Sequence, residues 1–402
     1  MSGGKQASGG PHLADTQHPS INKGSEGLIT VASDSRPRRP DSQQHAAAAL
    51  GIAVAARVPV LLWGAPGTGK TSSIRAMAEA MGWPCETVIA SIREPSDFAG
   101  LPIVVGDGVR FAPPAWATRL AQASRGLLFL DELSTAPPAV QAALLRVVLE
   151  RVVGDLVLPP GVAVVAAANP PEQAADGWDL SAPLANRLCH LNWDIDPLAV
   201  ADGLAGGFTA PAVPELPEGW EAEQHLALAL VAAFLHARPA LACAPPAEAT
   251  SAGRGWPSPR TWEMAARLWA ASGAAAASDE SRAALVAGSV GEGAAAEFLA
   301  WLQEMDLPDP EAVLADPSSF TLPRRADRAY AAVAAIAAVV AADPTPARWA
   351  AGWRVLGIAA RSGPDVAAVA ARVLVRCRPA DAPLPAEVRL FAPVLRDAGL
   401  LH

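Results

Sequence analysis

The sequence is short of several things, and each shortage narrows the field. Four cysteines, Cys85, Cys189, Cys243 and Cys377, stand far apart in 402 residues with no C-x-x-C or Cys/His spacing. Neither a zinc site nor a disulfide framework is indicated, and reduced thiols in a cytoplasmic protein are the simplest account. Positive charge is scarce too: the formal net charge is -9 and the sequence pI about 5.3. That balance lacks the basic footprint with which nucleic-acid binders neutralise phosphates. Long apolar runs are also missing. Ala329 to Ala342 is shorter than a bilayer span, and Arg57 interrupts the run ending at Trp63, so no membrane-crossing segment is expected. The stretch from Met1 to Ser20 is polar, without the apolar core of a signal peptide.

Hydrophobic residues make up 51% of the chain and charged residues 18%, a composition suited to a globular protein with a large core. Residues 1–42 are the exception, being rich in Gly, Ser, Gln, Pro and His. They read as a disordered tail, and the cluster Arg36, Arg38 and Arg39 reads as part of its solvated surface. A helix is expected from Asp41 to Val54, with Asp41 or Ser42 as its N-cap.

The most informative stretch is Gly64-Ala65-Pro66-Gly67-Thr68-Gly69-Lys70-Thr71, followed by Ser72. Apolar residues from Val58 to Trp63 run into it, and Ser72 to Met81 behind it has helical character. Strand, glycine-rich loop and helix form the context of a phosphate-binding loop. The glycines let backbone N–H groups close on phosphate oxygens, and the helix start adds its positive dipole end. Lys70 is placed to reach the outer phosphates and the Thr71 hydroxyl to ligate Mg²⁺.

From Val58 to Asp196 strand-like runs alternate with helical stretches. The strands are expected at 58–63, 86–90, 126–130, 161–168 and 188–193, and the unbroken apolar runs at 127–130 and 162–168 imply a parallel sheet covered on both faces. Two hairpins interrupt the scheme, one over 101–111 about Gly106-Asp107-Gly108 and one over 151–158 about Gly154-Asp155. The expected organisation is a 43–200 α/β core carrying both hairpins, a 201–222 linker, a 223–306 helical lid and a 307–402 helical extension. Trp262 and Trp269, and Trp349 and Trp353, fall at helical spacing and read as core.

Leu127 to Leu130 delivers Asp131 and Glu132 at a strand end, a pairing in which Asp131 would hold Mg²⁺ and Glu132 would activate a water. Asn169, at the end of the run 162–168, is placed to hold that water or an outer phosphate. Arg187 precedes a strand and Arg260 opens a helix; either guanidinium would serve to neutralise charge on a transferred phosphoryl group.

These motifs, with Arg93 to Pro102, Asp131 to Leu145, Ala167 to Pro170 and Ser258 to Arg260, resemble the AAA+ ATPases of the MoxR-like, dynein-related type over about 45–305. The resemblance implies a P-loop AAA+ fold binding ATP and Mg²⁺. Gly64 to Ser72 would line the nucleotide, Lys70 and Thr71 being the Walker A pair. Asp131 and Glu132 would form Walker B, Asn169 sensor 1, Arg187 an arginine finger acting on a neighbouring subunit, and Arg260 sensor 2, in cis or in trans. The family has Asp-Arg-Phe where this chain has Asn186-Arg187-Leu188. It further implies a hexameric ring working on a protein client as a chaperone, with a von Willebrand A-domain partner. The competing readings are a nucleic-acid-associated motor or restriction-type GTPase or ATPase subunit, and a non-hydrolysing nucleotide switch. Against the motor stands the first hairpin, which offers only Arg110 and an Asp; against the switch stands the complete set Lys70, Asp131, Glu132 and Asn169.

Overall fold

The computed structural model describes residues 42–170, 173, 178–380 and 382–400. The expected tail and Asp41 lie outside them. Helix α1 (Ser42–Ala55) precedes β1 (Val60–Trp63), and α2 (Lys70–Ala80) follows the loop. Next come β2 (Cys85–Ile89), a 3-10 turn (Ala90–Ile92), α3 (Ser96–Ala99) and the hairpin of β3 (Leu101–Val105) and β4 (Gly108–Ala112). Helix α4 (Ala115–Gln122), β5 (Arg125–Asp131), a 3-10 turn (Leu133–Thr135) and α5 (Pro138–Glu150) lead to the second hairpin, β6 (Val152–Val153) and β7 (Leu156–Val157). Strand β8 (Gly161–Ala168), α6 (Ala182–Ala185) and β9 (Cys189–Asn192) complete the α/β part.

The main sheet has the order β2-β5-β8-β1-β9, with every neighbouring pair parallel. Side chains alternate across it, and both faces are apolar because both are covered. Leu62, Phe129, Val165 and Leu191 pack with α1 and with Ile74 and Met77 of α2. Leu61, Leu128, Leu130 and Val164 pack on the other side with Trp116, Leu120, Val140 and Leu144. The period-two split within unbroken apolar runs is the arrangement expected of buried parallel strands.

The remaining chain is helical: α7 (Pro197–Gly206), α8 (Glu221–Ala237), α9 (Ala249–Ala252), α10 (Pro259–Ala274), α11 (Asp279–Val290) and α12 (Glu292–Gln303), then α13 (Pro310–Ala315), α14 (Ala326–Ala342), α15 (Pro346–Ala359), α16 (Pro364–Arg376) and α17 (Ala392–Asp397). Phe234 sits among Trp262, Phe298 and Trp301 at ring separations of 5.5, 5.2 and 5.7 Å, a distance range in which aromatic pairs add to area burial. The C-terminal helices have their own core around Val333, Trp349 and Trp353, and α14 packs along α8. Among the described residues no helix is long and apolar enough to cross a membrane.

One expectation needs correction. The stretch 201–222 is not purely a connection, because α7 runs through its first six residues to Gly206 and α8 begins at Glu221. Asp196 caps α7 by accepting from Leu198 N–H at 2.9 Å, with Pro197 in the first turn, a helix start that the later prolines and glycines masked.

A buried polar pair joins β1 to β9. Trp63 Nε1–H donates to His190 Nδ1 at 2.9 Å, and His190 Nε2–H donates to the Ala185 carbonyl at 2.9 Å, which defines a neutral ring protonated at Nε2. Burial pushes the His190 pKa from 6.5 down to about 4, the Ala185 bond opposing and the Arg254 charge reinforcing the fall. Because the folded value lies below the unfolded one, the unfolded chain binds more protons between about 4 and 6.5, and stability drops as pH falls through that window. The gap corresponds to a loss on the order of 3 kcal/mol. Thermal melts from pH 7 to 4.5 are expected to fall more steeply for the native chain than for His190→Gln; parallel declines would assign the acid sensitivity elsewhere.

Candidate active site

The loop after β1 is shaped by its glycines. Gly67 and Gly69 both have φ of 79°, and a Cβ on either would meet nothing within 4 Å, so the surface in front of them is open. Gly69 caps α2 in the left-handed conformation, aiming the first N–H groups of that helix at the loop. Gly64 is crowded instead: a Cβ there would lie 2.6 Å from the Trp193 carbonyl oxygen. The loop is braced from within by Thr68 Oγ1–H to Ala65 O at 2.9 Å and from β9's end by Trp193 Nε1–H to Thr68 O at 3.2 Å.

Lys70 is 8% exposed. Its ammonium donates to Gly64 O at 2.6 Å, Ala65 O at 2.9 Å and Asn169 Oδ1 at 3.1 Å, which uses its three donors. Burial lowers its pKa, with the Asp131 carboxylate working in the opposite direction. Thr71 Oγ1–H donates to Asp131 Oδ2 at 2.9 Å. Thus Lys70 and Thr71, Asp131, and Asn169, from three separate stretches of sequence, meet at one place.

Glu132 adopts φ 55°, ψ 42°, a left-handed conformation uncommon for a residue with a Cβ and costly enough to merit a functional reading. The turn directs its backbone N–H to Asp131 Oδ1 at 3.0 Å, while its carboxylate accepts from Ser91 Oγ–H. Asn169 is held by Ser134, whose hydroxyl donates to Asn169 O at 3.2 Å and accepts from Asn169 N–H at 3.3 Å. Sequence reasoning missed Ser91 and Ser134. The only signal for Ser91 is its place two residues beyond β2, whose last residue Ile89 pairs with Asp131.

Arg187 and Arg260 are brought together, but not to the loop. Among the described residues neither forms an ion pair with a carboxylate or a hydrogen bond to Gly64–Ser72, Asp131, Glu132 or Asn169. Asn186 Oδ1 accepts from Ser258 Oγ–H at 3.1 Å and from Arg260 Nη1 at 3.4 Å, tying the Ser258-Pro259-Arg260 turn to the residue beside Arg187. Ser258 also forms a reciprocal cap with Thr261 at the start of α10. Arg187 donates to Pro183 O, and its pKa is lowered by burial and by the neighbouring Arg260 charge. Asn186 Nδ2 and Arg187 Nε are buried without an acceptor among the described residues. Two adjacent guanidiniums with spare donors form a patch complementary to an anion. A further arginine, Arg254, lies over the Trp63 ring at 3.9 Å.

These residues fit a nucleoside triphosphate with Mg²⁺. Gly67 and Gly69 leave room for phosphate, and the Thr71 hydroxyl with the Asp131 carboxylate offers two oxygen ligands of the kind Mg²⁺ uses alongside phosphates and water. Among the described residues no group of three or more His, Cys, Asp or Glu could hold a metal ion.

Residues 59–188 match the AAA domain family of the dynein-related subfamily. MoxR of Methylorubrum extorquens is 35% identical over 110 residues, which cover 27% of this chain and 32% of that protein; the match spans about a third of the relative's length. Solved structures similar to this chain include a proposed ATPase from Cytophaga hutchinsonii, 18% identical with a TM-score of 0.40, covering 66% of this chain and 90% of the other. A full-length MCM homologue from Methanopyrus kandleri is likewise 18% identical, with a TM-score of 0.35, covering 65% of this chain and 58% of the other. With the loop, the Asp131 and Glu132 carboxylates and Asn169 assembled at the ends of parallel strands, residues 59–188 form an AAA domain of the dynein-related type, and part of the chain is similar to MoxR.

Proposed function

We propose that the protein is a Mg²⁺-dependent ATPase that works as a ring, remodelling or assembling a protein client. The observation that carries this reading is the contact between Thr71 and Asp131 at 2.9 Å, beside Glu132 and opposite the Lys70–Asn169 pair. Lys70 would exchange its bonds with Gly64 and Ala65 for the outer phosphate oxygens, which are better acceptors. Glu132, released from Ser91, would orient a water and take its proton, and Asn169 would hold the attacked phosphoryl group or that water. Mg²⁺, held by Thr71 and Asp131, supplies positive charge where negative charge builds on the phosphates.

Arg187 and Arg260 support an assembled site. The two lie together at Asn186, with no bond to the loop among the described residues; Arg187 would act on the nucleotide of a neighbouring copy, and Arg260 beside it would act there in trans. A hexamer is the ring size that the family resemblance implies. The client reading is supported by the β3–β4 ribbon, where Leu101, Ile103, Val104, Val105, Val109 and Phe111 are all exposed, Val104 to 81%. Its charged residues are Asp107 and Arg110, too little positive charge to grip a nucleic-acid backbone. A von Willebrand A-domain partner and a cytoplasmic setting belong to the same proposal, the latter supported by four free cysteines.

Phosphate release from ATP tests the chemistry. Lys70→Ala is expected to abolish turnover, and Glu132→Gln to slow it about 10²-fold or more while nucleotide binding persists; native-like turnover in Glu132→Gln would remove it as the base. For the shared site, Arg187→Ala is expected to slow hydrolysis about 10³-fold. Mixing it with Glu132→Gln should restore activity above either variant alone, because some interfaces then pair an intact Glu132 with an intact Arg187. A mixture no more active than its parts, or a species that sediments as a monomer with and without ATP analogue, would overturn the trans assignment.

A further inference from the structure

The β3–β4 ribbon is the least anchored element near the site. None of its residues is buried, and only Ala112 at its exit is even half-buried. The second hairpin is rooted, with Val153 and Leu158 in the core beside α4 and α5. An isolated two-stranded ribbon is marginal in water, so the first hairpin needs a tether. One residue of the second hairpin provides it. Phe111 N–H donates to Asp155 Oδ2 at 2.9 Å, and Asp155 N–H donates to Phe111 O at 3.0 Å. Asp155 therefore pairs both backbone groups that Phe111 turns away from β3, as an added strand would.

The backbone beside this contact is unusually close. Gly154 N–H donates to Phe98 O at 3.3 Å, and Arg146 of α5 donates to Gly154 O at 3.3 Å. A Cβ on Gly154 would lie 2.5 Å from Phe111 O, and one on Gly100 would lie 2.8 Å from Gly154 Cα. Both glycines also have positive φ, 60° and 84°, so space and backbone conformation each demand a missing side chain there.

We propose that Asp155 is a positioning residue that clamps the two hairpins into one body, so that the exposed ribbon takes its position from β6–β7 and moves with it. Both hairpins lie on chain segments that lead to the nucleotide loop. β7 continues into β8, which ends beside Asn169 and its bond from Lys70. The ribbon is entered through α3 from the turn carrying Ser91, which holds Glu132. Without the clamp these two routes part where they leave the core; with it they close on each other, and a shift at Asn169 reaches the apolar ribbon. The coupling to nucleotide rests on the ATPase reading above, whereas the clamp itself does not.

Amide hydrogen exchange of the full chain tests both parts, in buffer alone, with ADP and with a slowly hydrolysed ATP analogue. Without nucleotide, Asp155→Ala is expected to raise exchange at 101–112 about tenfold or more, as loss of a hydrogen-bonded tether would, and to leave 152–157 protected. Asp155→Asn, which keeps an acceptor oxygen, should restore protection, and Gly154→Ala should reproduce the loss. With nucleotide, the difference between ADP and analogue at 101–112 should vanish in Asp155→Ala while binding of a fluorescent ATP derivative stays native. Unchanged exchange at 101–112 in Asp155→Ala without nucleotide overturns the clamp. A nucleotide-dependent difference there that survives the substitution, or is absent from the native chain while it binds nucleotide, overturns the coupling. Failure of the native chain to bind nucleotide overturns the ATPase reading and the coupling with it, and the buffer-only comparison still decides the clamp.

Discussion

The site depends on the register of three parallel strands. Trp63 pairs with Ala168, and Leu130 pairs with Ala166 on the same central strand. Each next residue along β1, β8 and β5 is therefore delivered to the same edge of the sheet: Gly64, Asn169 and Asp131. Gly64 N–H extends the ladder one step further by donating to Ala168 O at 3.2 Å. A slip of one residue would turn side chains to opposite faces and separate the loop from its carboxylates. The two apolar layers that prevent that slip, packed against α1 and α2 on one face and α4 and α5 on the other, are in this sense part of the candidate site.

Within that frame the charged groups divide into two sets that do not meet. Lys70 is buried and fully bonded by carbonyls and Asn169, and Asp131 and Glu132 are oriented by Thr71 and Ser91. Arg187 and Arg260 stand apart at Asn186, held by the Ser258 cap on α10. Placing two guanidiniums side by side is electrostatically unfavourable, and the Arg187 pKa, lowered first by burial, is lowered further by the Arg260 charge. An anion brought to the pair relieves that repulsion, which gives the arrangement a chemical purpose that neither arginine has alone.

Anchoring grades outward from the sheet. The helices α8, α10, α11 and α12 share the core that covers one sheet face, and α8, α10 and α12 carry the Phe234 aromatic cluster. The C-terminal helices pack about Trp349 and Trp353 as a separate core, joined along α8 and α14, so their position and that of α8 are mechanically linked. The β3–β4 ribbon comes last, exposed along its length and fastened to the second hairpin by the carboxylate and backbone N–H of Asp155 at Phe111. Low burial in such an element makes it the part most readily displaced by a binding partner.

Much of this was legible in the residues themselves, for reasons of range. The loop from Gly64 to Thr71 is a contiguous motif whose glycines act on their own backbone, and the strand from Gly161 to Ala168 is an unbroken apolar run bounded by turn residues. The hairpin from Leu101 to Ala112 was visible for the same reason, since its turn chemistry is local. What tertiary structure alone decided are contacts between residues far apart in the chain. Ser91 reaches Glu132, Ser258 reaches Asn186 and Asp155 reaches Phe111, and no periodicity or spacing encodes such meetings, because they follow from strand order and from how hairpins and helices stack. Helix α7 was hidden by the surrounding prolines and glycines, although its Asp196 cap is local. The sequence by itself thus determined the chemistry of the loop and the kind of sheet that carries it. The fold decided which side chains hold the carboxylates, and why the two arginines stand together: those are matters of long-range register, which local residue preferences do not specify.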